Sequence, residues 1–329
     1  MSLPVLALTM GDVNGIGPEI LAKALCSPRL SECCRPLVIG SVDVLERARD
    51  HAAGCPRPVP VSSLEEALQC TKDVPVLECG VCAPPVRPGL LDPAAGHCAI
   101  EWVKQAVRWA LEGAIEGLVT CPINKEAVAK AGHAVAGHTD LIAHMTGSPD
   151  YRMCLFADTL RVIHLTGHLS LRAALERVRT APIIRSIELG HEALHRLGIT
   201  RASIAVAGLN PHAGEAGAFG DEEIVEISPA VSQCRQAGIN CSGPYPPDTV
   251  FRRMSLGEFD MVIAMYHDQG HIPMKMVAMD TGVNVTLGIP IVRTSVDHGT
   301  AFDIAWRGEA REQSLLAAAC LAARLARTS

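Results

Sequence analysis

The feature that most constrains this chain is an apolar run that ends in a polar, histidine-bearing cluster. The run at 261–265 predicts a strand covered on both faces, and the cluster at 266–270 follows it directly. In open α/β sheets, ligands bind in the loops beyond the carboxyl ends of the strands. His267 in this loop, with Asp268 beside it and Lys275 further along, indicates a metal or anion site. A strand followed by an ordinary polar turn is the competing interpretation.

Two more apolar runs show the same arrangement. The predicted strand at 203–209 precedes His212, and the predicted strand at 160–165 precedes His168. Three strands would thus deliver a histidine to a glycine-bearing turn at the same end. Three imidazoles without a cysteine suit a divalent ion such as Zn, Mn or Co that keeps positions open for substrate. Although 13 histidines make coincidence an alternative, we favour a metal site formed by His168, His212 and His267.

Composition narrows the class of protein. A length of 329 residues predicts about two domains. Hydrophobic residues make up 48% and aromatic residues 3%, so the core is built from small aliphatic side chains, as is typical of α/β proteins. A net charge of −6 argues against nucleic-acid binding, and no segment reads as a membrane span or signal peptide, so we expect a cytoplasmic protein. The 13 cysteines are interpreted as reduced and mostly structural.

The remaining pattern alternates between strands and helices. The glycine-rich segment 11–19 is not a G-x-G-x-x-G fingerprint, so a dinucleotide would not bind in the Rossmann manner. Residues 56–88 are rich in proline and predict short strands at most. Further strands are predicted at 5–8, 37–40, 117–120 and 283–287, and helices at 42–51, 94–116 and 314–327. Another helix is predicted to end at Leu25, with Pro18 in its first turn.

A candidate anion site follows the strand at 117–120. Lys125 lies in the turn after it, and Gly137, His138 and Thr139 open a helix over 141–145. A helix start offers free N–H groups and the positive end of the helix dipole, which suit a phosphate or carboxylate. An ordinary N-cap by Thr139 or the next residue, an aspartate, is the competing interpretation.

The helix predicted at 181–197 contains a rival motif. His191, Glu192 and His195 match the H-E-x-x-H pattern of zinc proteases, with Glu215 as a possible third ligand. The helix ends almost immediately after His195, its apolar stripe resembles ordinary packing, and Glu215 belongs to the loop of His212. A zinc hydrolase is therefore retained as a remote alternative.

Together the motifs resemble the 4-hydroxythreonine-4-phosphate dehydrogenase family of pyridoxal phosphate biosynthesis, including its branch acting on 4-phosphoerythronate or 4-phosphothreonate. They run in order across nearly the whole chain. The matching segments are 11–19, 137–139, 167–168, 208–215, 264–270, 282–288 and 293–301.

This resemblance implies an α/β protein with an isocitrate/isopropylmalate dehydrogenase-like fold, in which two α/β/α domains flank a cleft. It implies a discontinuous first domain, 1–128 with 279–329, on the dinucleotide side. The second domain, 129–278, would carry the metal and the dimer interface. The active protein would be a homodimer with shared active sites.

The implied activity is NAD(P)-dependent oxidation of the 3-hydroxyl of a 4-phosphorylated hydroxy acid, with decarboxylation of the 3-keto product. A divalent metal (Zn, Mn, Co or Mg) would assist, held by His168, His212 and His267. The implied substrate-binding residues are His138, Thr139, Lys275, Asn284 and Arg293. The implied cofactor-binding residues are His298, Gly299, Thr300, Ala301 and Asp303. Asp268 and Lys125 are candidate catalytic or supporting groups.

Some segments distinguish the possible substrates. The first loop has Val13 and Asn14 where the family commonly has Pro-Ala. Residues 123–126, 270–275 and 301–306 look closer to the branch that acts on 4-phosphoerythronate or 4-phosphothreonate. We expect 4-hydroxythreonine-4-phosphate as the substrate, with those two sugar acids as the alternative. The dihydrodiol of terephthalate, used by another relative, is disfavoured because that relative lacks the Gly-His-Thr segment.

Overall fold

The computed structural model describes residues 3–70, 72–279 and 281–327. The chain divides into two compact units. Unit 1 contains the chain up to Pro149 together with Ile289–Arg327, and unit 2 is Asp150–Gly288.

Strands and helices alternate along most of the chain. The strands are β1 (Val5–Thr9), β2 (Arg35–Ile39), β3 (Pro58–Pro60), β4 (Val74–Leu77), β5 (Gly117–Thr120), β6 (Arg152–Ala157), β7 (Leu160–His164), β8 (Ile204–Ala207), β9 (Cys241–Tyr245), β10 (Met261–Ala264), β11 (Val283–Leu287) and β12 (Arg293–Val296). The helices are α1 (Gly17–Leu25), α2 (Pro28–Cys33), α3 (Val42–Ala48), α4 (Leu64–Gln69), α5 (Pro93–Leu111), α6 (Lys125–Lys130), α7 (His138–Met145), α8 (Leu171–Leu175), α9 (Thr180–Arg196), α10 (Ser228–Gln236), α11 (Pro247–Ser255), α12 (His267–Ala278) and α13 (Gln313–Ala326).

Unit 1 is built on a parallel sheet with strand order β3-β4-β2-β1-β5-β12. All four residues of β5 are buried, as expected for a strand covered on both faces. Helix α5 packs on β1, β2 and β5, and α13 packs on β1, β5 and β12. On α5, the buried Ala99, Trp102, Val103 and Ala106 recur at helical spacing and form its core-facing stripe.

Unit 2 has the strand order β11-β6-β7-β10-β8-β9. Strands β7, β10, β8 and β9 are parallel, whereas β6 pairs antiparallel with β11 and β7. One face of this sheet packs through Val162 and Val262 against Met254 of α11 and Met274 of α12. Helix α9 packs on β7, β8 and β10. The α/β class predicted from the sequence is confirmed.

The unit boundaries follow from packing. The sequence prediction placed the domain boundaries at 128/129 and 278/279, whereas the chain passes from one unit to the other at 149/150 and 288/289. Helix α7 belongs to unit 1 because it packs on α5. Strand β11 belongs to unit 2 because its whole length pairs with β6.

Several predicted elements need correction. The polar turn expected after β10 is instead the start of α12, and the proline-rich segment contains a helix, α4. Helix α5 ends at Leu111, before the predicted 116. Strands β6, β9 and β12 and helices α2, α6, α8, α10 and α11 were not predicted, and Lys125, expected in a turn, begins α6.

The cysteines also depart from prediction. Eleven are free, but Cys33 and Cys320 form a disulfide with a Cα–Cα distance of 5.3 Å. The pairing arises because α2, which ends at Cys33, packs against α13, which carries Cys320.

None of the helices in the described ranges combines the length and apolarity needed to cross a lipid bilayer.

Candidate active site

Unit 1 contains a small cavity of about 160 Å³ at the carboxyl ends of β5 and β12. Four residues predicted from the sequence lie together in its wall: Lys125, His138, His298 and Gly299. The rest of the wall is formed by Thr120, Pro122, Ile123, Gly137, Ser295 and Val296. The structure therefore joins one predicted substrate residue, one supporting lysine and two predicted cofactor residues in one cavity.

Arg293 contributes a buried positive charge beside this cavity. Only 3% of the residue is exposed, and its guanidinium donates hydrogen bonds to Thr139 Oγ1 at 3.3 Å and Thr120 Oγ1 at 2.9 Å. Burial lowers the pKa of Arg293 to about 10, so the group stays charged at neutral pH. With the Lys125 ammonium, it makes the cavity attractive to an anion.

His138 meets this positive environment as a neutral imidazole. Its pKa is lowered to about 3, first by burial and then by the charges of Arg293 and Lys125. Its Nε2 atom is buried and has no hydrogen-bond partner among the described residues, although the residue as a whole is partly exposed. A buried polar atom without a partner costs roughly 1–3 kcal/mol, which a ligand would recover.

The start of α7 is not capped in the ordinary way. The N-cap is Gly137, and no side chain caps it, so neither Thr139 nor the next aspartate has the N-cap role considered from the sequence. Thr139 lies inside the first turn, where Arg293 binds its hydroxyl. The backbone N–H groups of this turn lie next to the cavity wall at Gly137 and His138.

The other predicted cofactor residues follow in the same loop. The carbonyl of Thr300 accepts a hydrogen bond from the Ile16 N–H at 3.0 Å, and Ala301 has a φ of 41°. Asp303 is exposed. An exposed carboxylate suits the hydroxyls of a nucleotide ribose, so this loop is chemically compatible with a dinucleotide.

The cavity of unit 1 is smaller than the roughly 300–1,000 Å³ of drug-sized ligand pockets and matches a phosphate-sized group.

Unit 2 supplies the three predicted metal ligands. Strands β7, β10 and β8 are parallel neighbours, so their carboxyl ends lie at one edge of the sheet. The rings of His168 and His267 lie 5.4 Å apart between centroids. Asp268 Oδ1 lies 2.6 Å from Nδ1 of His267. A proton on Nδ1 would be held by Asp268 and would leave the Nε2 lone pair for a metal.

His212 lies in a tight left-handed turn. It has a φ of 54°, and the turn continues with positive φ through Ala216. This backbone conformation is strained for a residue other than glycine, and such strain is common at functional loops. Within one chain, and among the described residues, the ligand atoms of His168, His212 and His267 do not all lie within 4.8 Å of one another. Their joint coordination of one ion stays a prediction.

Glu223, which was not predicted, holds this turn in place. The residue is 3% exposed, and its Oε1 accepts hydrogen bonds from the N–H groups of Leu209 and Asn210, each at 2.7 Å. Its Oε2 accepts from Asn210 Nδ2 at 2.9 Å. Burial would raise the pKa of Glu223, but these hydrogen bonds outweigh it and lower the pKa. Glu223 is therefore an ionised anchor beneath the His212 turn.

A second unpredicted pair supports His267. The Nδ1 of His164 lies 3.2 Å from the Met153 carbonyl, to which it must donate, so its Nε2 accepts from His271 Nδ1 at 3.0 Å. The His271 ring in turn stacks on His267 at 3.7 Å. Gly270 permits this contact, because a Cβ there would lie 2.5 Å from His164 Nε2. These hydrogen bonds, from Met153 through His164 to His271, fix the orientation of the His271 ring on which His267 stacks.

The remaining predicted substrate residues also lie in unit 2. Lys275 shares a cavity of about 450 Å³ with His267, Asp268 and His271. Asn284 lies on β11, and its buried Oδ1 has no hydrogen-bond partner among the described residues. The predicted substrate residues are thus divided, with His138, Thr139 and Arg293 in unit 1.

The rival motif on α9 gains no support. His191 is half-buried, whereas Glu192 and His195 are exposed. None of the three belongs to a metal-ligating cluster within the described part of the chain.

Comparison with known proteins identifies the family. Residues 32–322 match the family profile described as "Pyridoxal phosphate biosynthetic protein PdxA". The chain belongs to this family. The resemblance predicted from the sequence motifs is therefore confirmed.

Full-length relatives carry two different names. A D-threonate 4-phosphate dehydrogenase from Cupriavidus necator is 44% identical over 326 residues, which cover 98% of this chain and 98% of the relative. A 4-hydroxythreonine-4-phosphate dehydrogenase from Desulforapulum autotrophicum is 46% identical over 323 residues, covering 97% of this chain and 95% of the relative. A crystal structure of a 4-hydroxythreonine-4-phosphate dehydrogenase from Klebsiella pneumoniae has a TM-score of 0.88 and 43% identity, covering 98% of both chains.

Proposed function

We propose that this PdxA-family chain is an NAD(P)-dependent dehydrogenase that oxidises the 3-hydroxyl of a 4-phosphorylated hydroxy acid. A divalent metal would assist, and the 3-keto product would lose its carboxylate as carbon dioxide. The cavity of unit 1 carries the proposal. Its wall includes Lys125 and a neutral His138 with an unpartnered buried nitrogen, and the buried Arg293 lies beside it.

Each of these groups has a distinct part in binding the phosphate end of the substrate. Arg293 and Lys125 supply positive charge for the phosphate. His138, kept neutral first by burial and then by those two cations, contributes a hydrogen bond through Nε2 rather than another charge. The first-turn N–H groups of α7 add dipolar attraction. An ionised phosphate would thus find both charge and directional hydrogen bonds.

The histidines of unit 2 suit the reacting end. Three imidazoles form a donor set that fits Zn, Mn or Co, and Asp268 and Glu223 position His267 and the His212 turn. When bound, the metal would lower the pKa of the substrate hydroxyl and stabilise its alkoxide, and the nicotinamide would accept the hydride. Asp268 is exposed and is bonded to His267, one of the proposed metal ligands, so we assign it an orienting role. Lys125 stays a candidate supporting group.

Exposed apolar side chains support the predicted homodimer. Of the fourteen large ones among the described residues, ten lie in the segments that follow the three histidines: Leu169, Leu171 and Leu175 after His168, Phe219, Ile224 and Val225 after His212, and Ile272, Met276, Val277 and Met279 after His267. Large apolar groups concentrated near polar site residues mark interaction surfaces. A second subunit covering these side chains would lie beside the histidines and would complete the metal site.

The cytoplasmic location stays a prediction.

Two substrates fit this class. 4-Hydroxythreonine-4-phosphate is the first candidate, and a relative of that name is 46% identical to this chain. D-Threonate 4-phosphate, or the related erythronate, is the second, favoured by a relative named for D-threonate 4-phosphate at 44% identity. They differ at carbon 2, where an ammonium needs an acceptor and a hydroxyl can also use a donor. A site built for a polar substituent can reject an analogue that lacks it by about 10⁴ or more.

The test is a side-by-side measurement of kcat/KM with 4-phosphohydroxythreonine, 4-phosphothreonate and 4-phosphoerythronate. Formation of NADH or NADPH is followed by ultraviolet absorbance in the presence of a divalent metal. We expect reduction of the cofactor with at least one of the three. No reduction with any acid, together with peptide cleavage that is lost in Glu192→Gln, would favour the hydrolase instead.

A further inference from the structure

Unit 1 contains another group of metal-ligating side chains that takes no part in the site described above. It consists of His97 and Glu101 on α5 and His133 in the turn after α6. Each offers one ligand atom, and these atoms all lie within 4.8 Å of one another. In the described ranges, no other group of three or more histidine, cysteine, aspartate or glutamate side chains meets this criterion.

The local sequence builds this cluster. His97 and Glu101 are four residues apart on α5, so they lie on one face, one turn apart. Gly96 lets α6 pack in backbone contact with α5, because a Cβ there would lie 2.6 Å from the Ala127 carbonyl carbon. Gly132, with a φ of 87°, then turns the chain, and the His133 N–H donates to the Val128 carbonyl at 3.3 Å. His133 is thereby returned to the face of α5 that carries His97.

The geometry suits a tetrahedral ion. His97 Nδ1 and His133 Nε2 are 3.0 Å apart. In a tetrahedral zinc site with Zn–N bonds of about 2.0–2.1 Å, neighbouring ligand nitrogens are separated by roughly 3.3 Å, so a small rotation is enough. Lys104 binds Glu101 Oε1 at 2.7 Å, which leaves Oε2 for a metal. The lysine partly offsets the carboxylate charge, so the two imidazoles dominate and favour zinc-like ions over Mg²⁺ or Ca²⁺.

We propose that His97, Glu101 and His133 form a second divalent-metal site for Zn²⁺, Co²⁺ or a similar ion, with water in the remaining position. The ion would tie the turn after α6 to α5. That turn leads directly into α7, whose first residues are His138 and Thr139. The site is therefore structural, and it does not depend on the proposed dehydrogenase activity.

The test is metal stoichiometry of the full chain by equilibrium dialysis against Zn²⁺, followed by elemental analysis. The variants His133→Ala and His97→Gln each remove one ligand, and His144→Ala removes an exposed histidine of α7 as a matched control. We expect each ligand variant to bind one ion fewer per chain than the wild type, with zinc affinity at this site lowered by about a hundredfold. The control should equal the wild type.

A His267→Ala background separates the two sites. Zinc that persists in His267→Ala and disappears in the double variant with His133→Ala assigns the ion to this cluster, whether or not the enzyme is active. Cobalt absorption gives a second readout, because replacing His97 should alter the spectrum of the ion bound here. Equal stoichiometry in wild type and both ligand variants, with native circular dichroism, would overturn the proposal.

Discussion

Replacing Glu223 with glutamine should destabilise unit 2 and weaken the His212 turn. The wild-type carboxylate accepts three hydrogen bonds, from the N–H groups of Leu209 and Asn210 and from the Asn210 side chain. Glutamine keeps the shape and one oxygen, but its NH₂ group would face the Asn210 Nδ2 donor. It also removes the charge that strengthens the two backbone bonds.

The size of the effect follows from these contacts. Hydrogen bonds to a charged group contribute about 1.5–3 kcal/mol, against about 0.5–1.5 kcal/mol for neutral ones. One charged bond is lost and two become neutral, while relief from burying a charge offsets part of the loss. We expect the free energy of unfolding to fall by about 2–3 kcal/mol. Since the turn carries His212, kcat/KM should fall by at least about tenfold, the equivalent of 1.4 kcal/mol.

The assay is urea unfolding at pH 7 alongside steady-state kinetics, with Glu192→Gln on the exposed face of α9 as the control. The folded-state pKa of Glu223 is below its ordinary 4.5, so its stabilising contribution is complete above pH 4.5 and is lost as the pH falls through the folded value. The difference between wild type and variant should therefore shrink in acid. A loss below about 0.5 kcal/mol at pH 7, equal to that of the control, would refute the anchoring role.

Three other predictions concern separate parts of the chain. Burial raises the pKa of Asp12 from 3.8 to about 6, so the folded state binds this proton more tightly than the unfolded state does, and the free energy of unfolding falls as the pH rises from 3.8 to 6. Asp12→Asn should therefore be more stable than the wild type at pH 7, by up to about 3 kcal/mol in thermal unfolding. A pH profile of stability that is the same in both proteins would contradict this. His271→Ala should lower the free energy of unfolding by about 2–4 kcal/mol, because it leaves His164 Nε2 buried without its donor and opens a cavity; an unchanged urea midpoint would show that the pair does not support the fold. His212→Ala and His267→Ala should each be inactive with weakened metal binding. His168 and His267 are neighbours in one chain, so a second subunit would supply His212, and mixing the two variants should restore part of the activity through hybrid dimers with one intact site. No recovery despite demonstrated subunit exchange would exclude a shared site.

Several strands could be predicted because each lies in a short, mainly apolar stretch of sequence. Strands β5 and β11 have the predicted bounds, and β10 differs from prediction by one residue at its carboxyl end. The prediction that three histidines follow strands at one edge is confirmed in its strand geometry, since β7, β10 and β8 are parallel neighbours. Parallel order itself follows from alternation of strands with helices.

The start of α12 could not be predicted because its local sequence favours a turn. Gly270 and Pro273 both disfavour a helix, yet the helix forms over His267–Ala278. The contact of Gly270 with His164 compensates, and that contact joins residues far apart in sequence. Similarly, β9 contains Gly243 and Pro244, which argue against a central strand but are tolerated here because β9 is at the edge of the sheet.

The supporting residues of the site were missed for a related reason. Glu223 looks like an ordinary helix glutamate, and its role depends on the main chain of Leu209 and Asn210 across the turn. His164 and His271 are histidines in apolar surroundings, and their pairing exists only when β7 and α12 pack together. Sequence spacing identifies groups that one element presents to a ligand, but it does not show which groups from different elements meet.

The most direct test of the central claim is the ratio of kcat/KM for one hydroxy acid in its 4-phosphorylated and dephosphorylated forms, measured by cofactor reduction with the wild-type protein. Because Arg293, Lys125, His138 and the start of α7 would all be left without their anion, we predict a ratio of at least about 10³, or roughly 4 kcal/mol. The same ratio should collapse in Arg293→Met. Equal kcat/KM for the two forms would contradict the phosphate site and the function built on it.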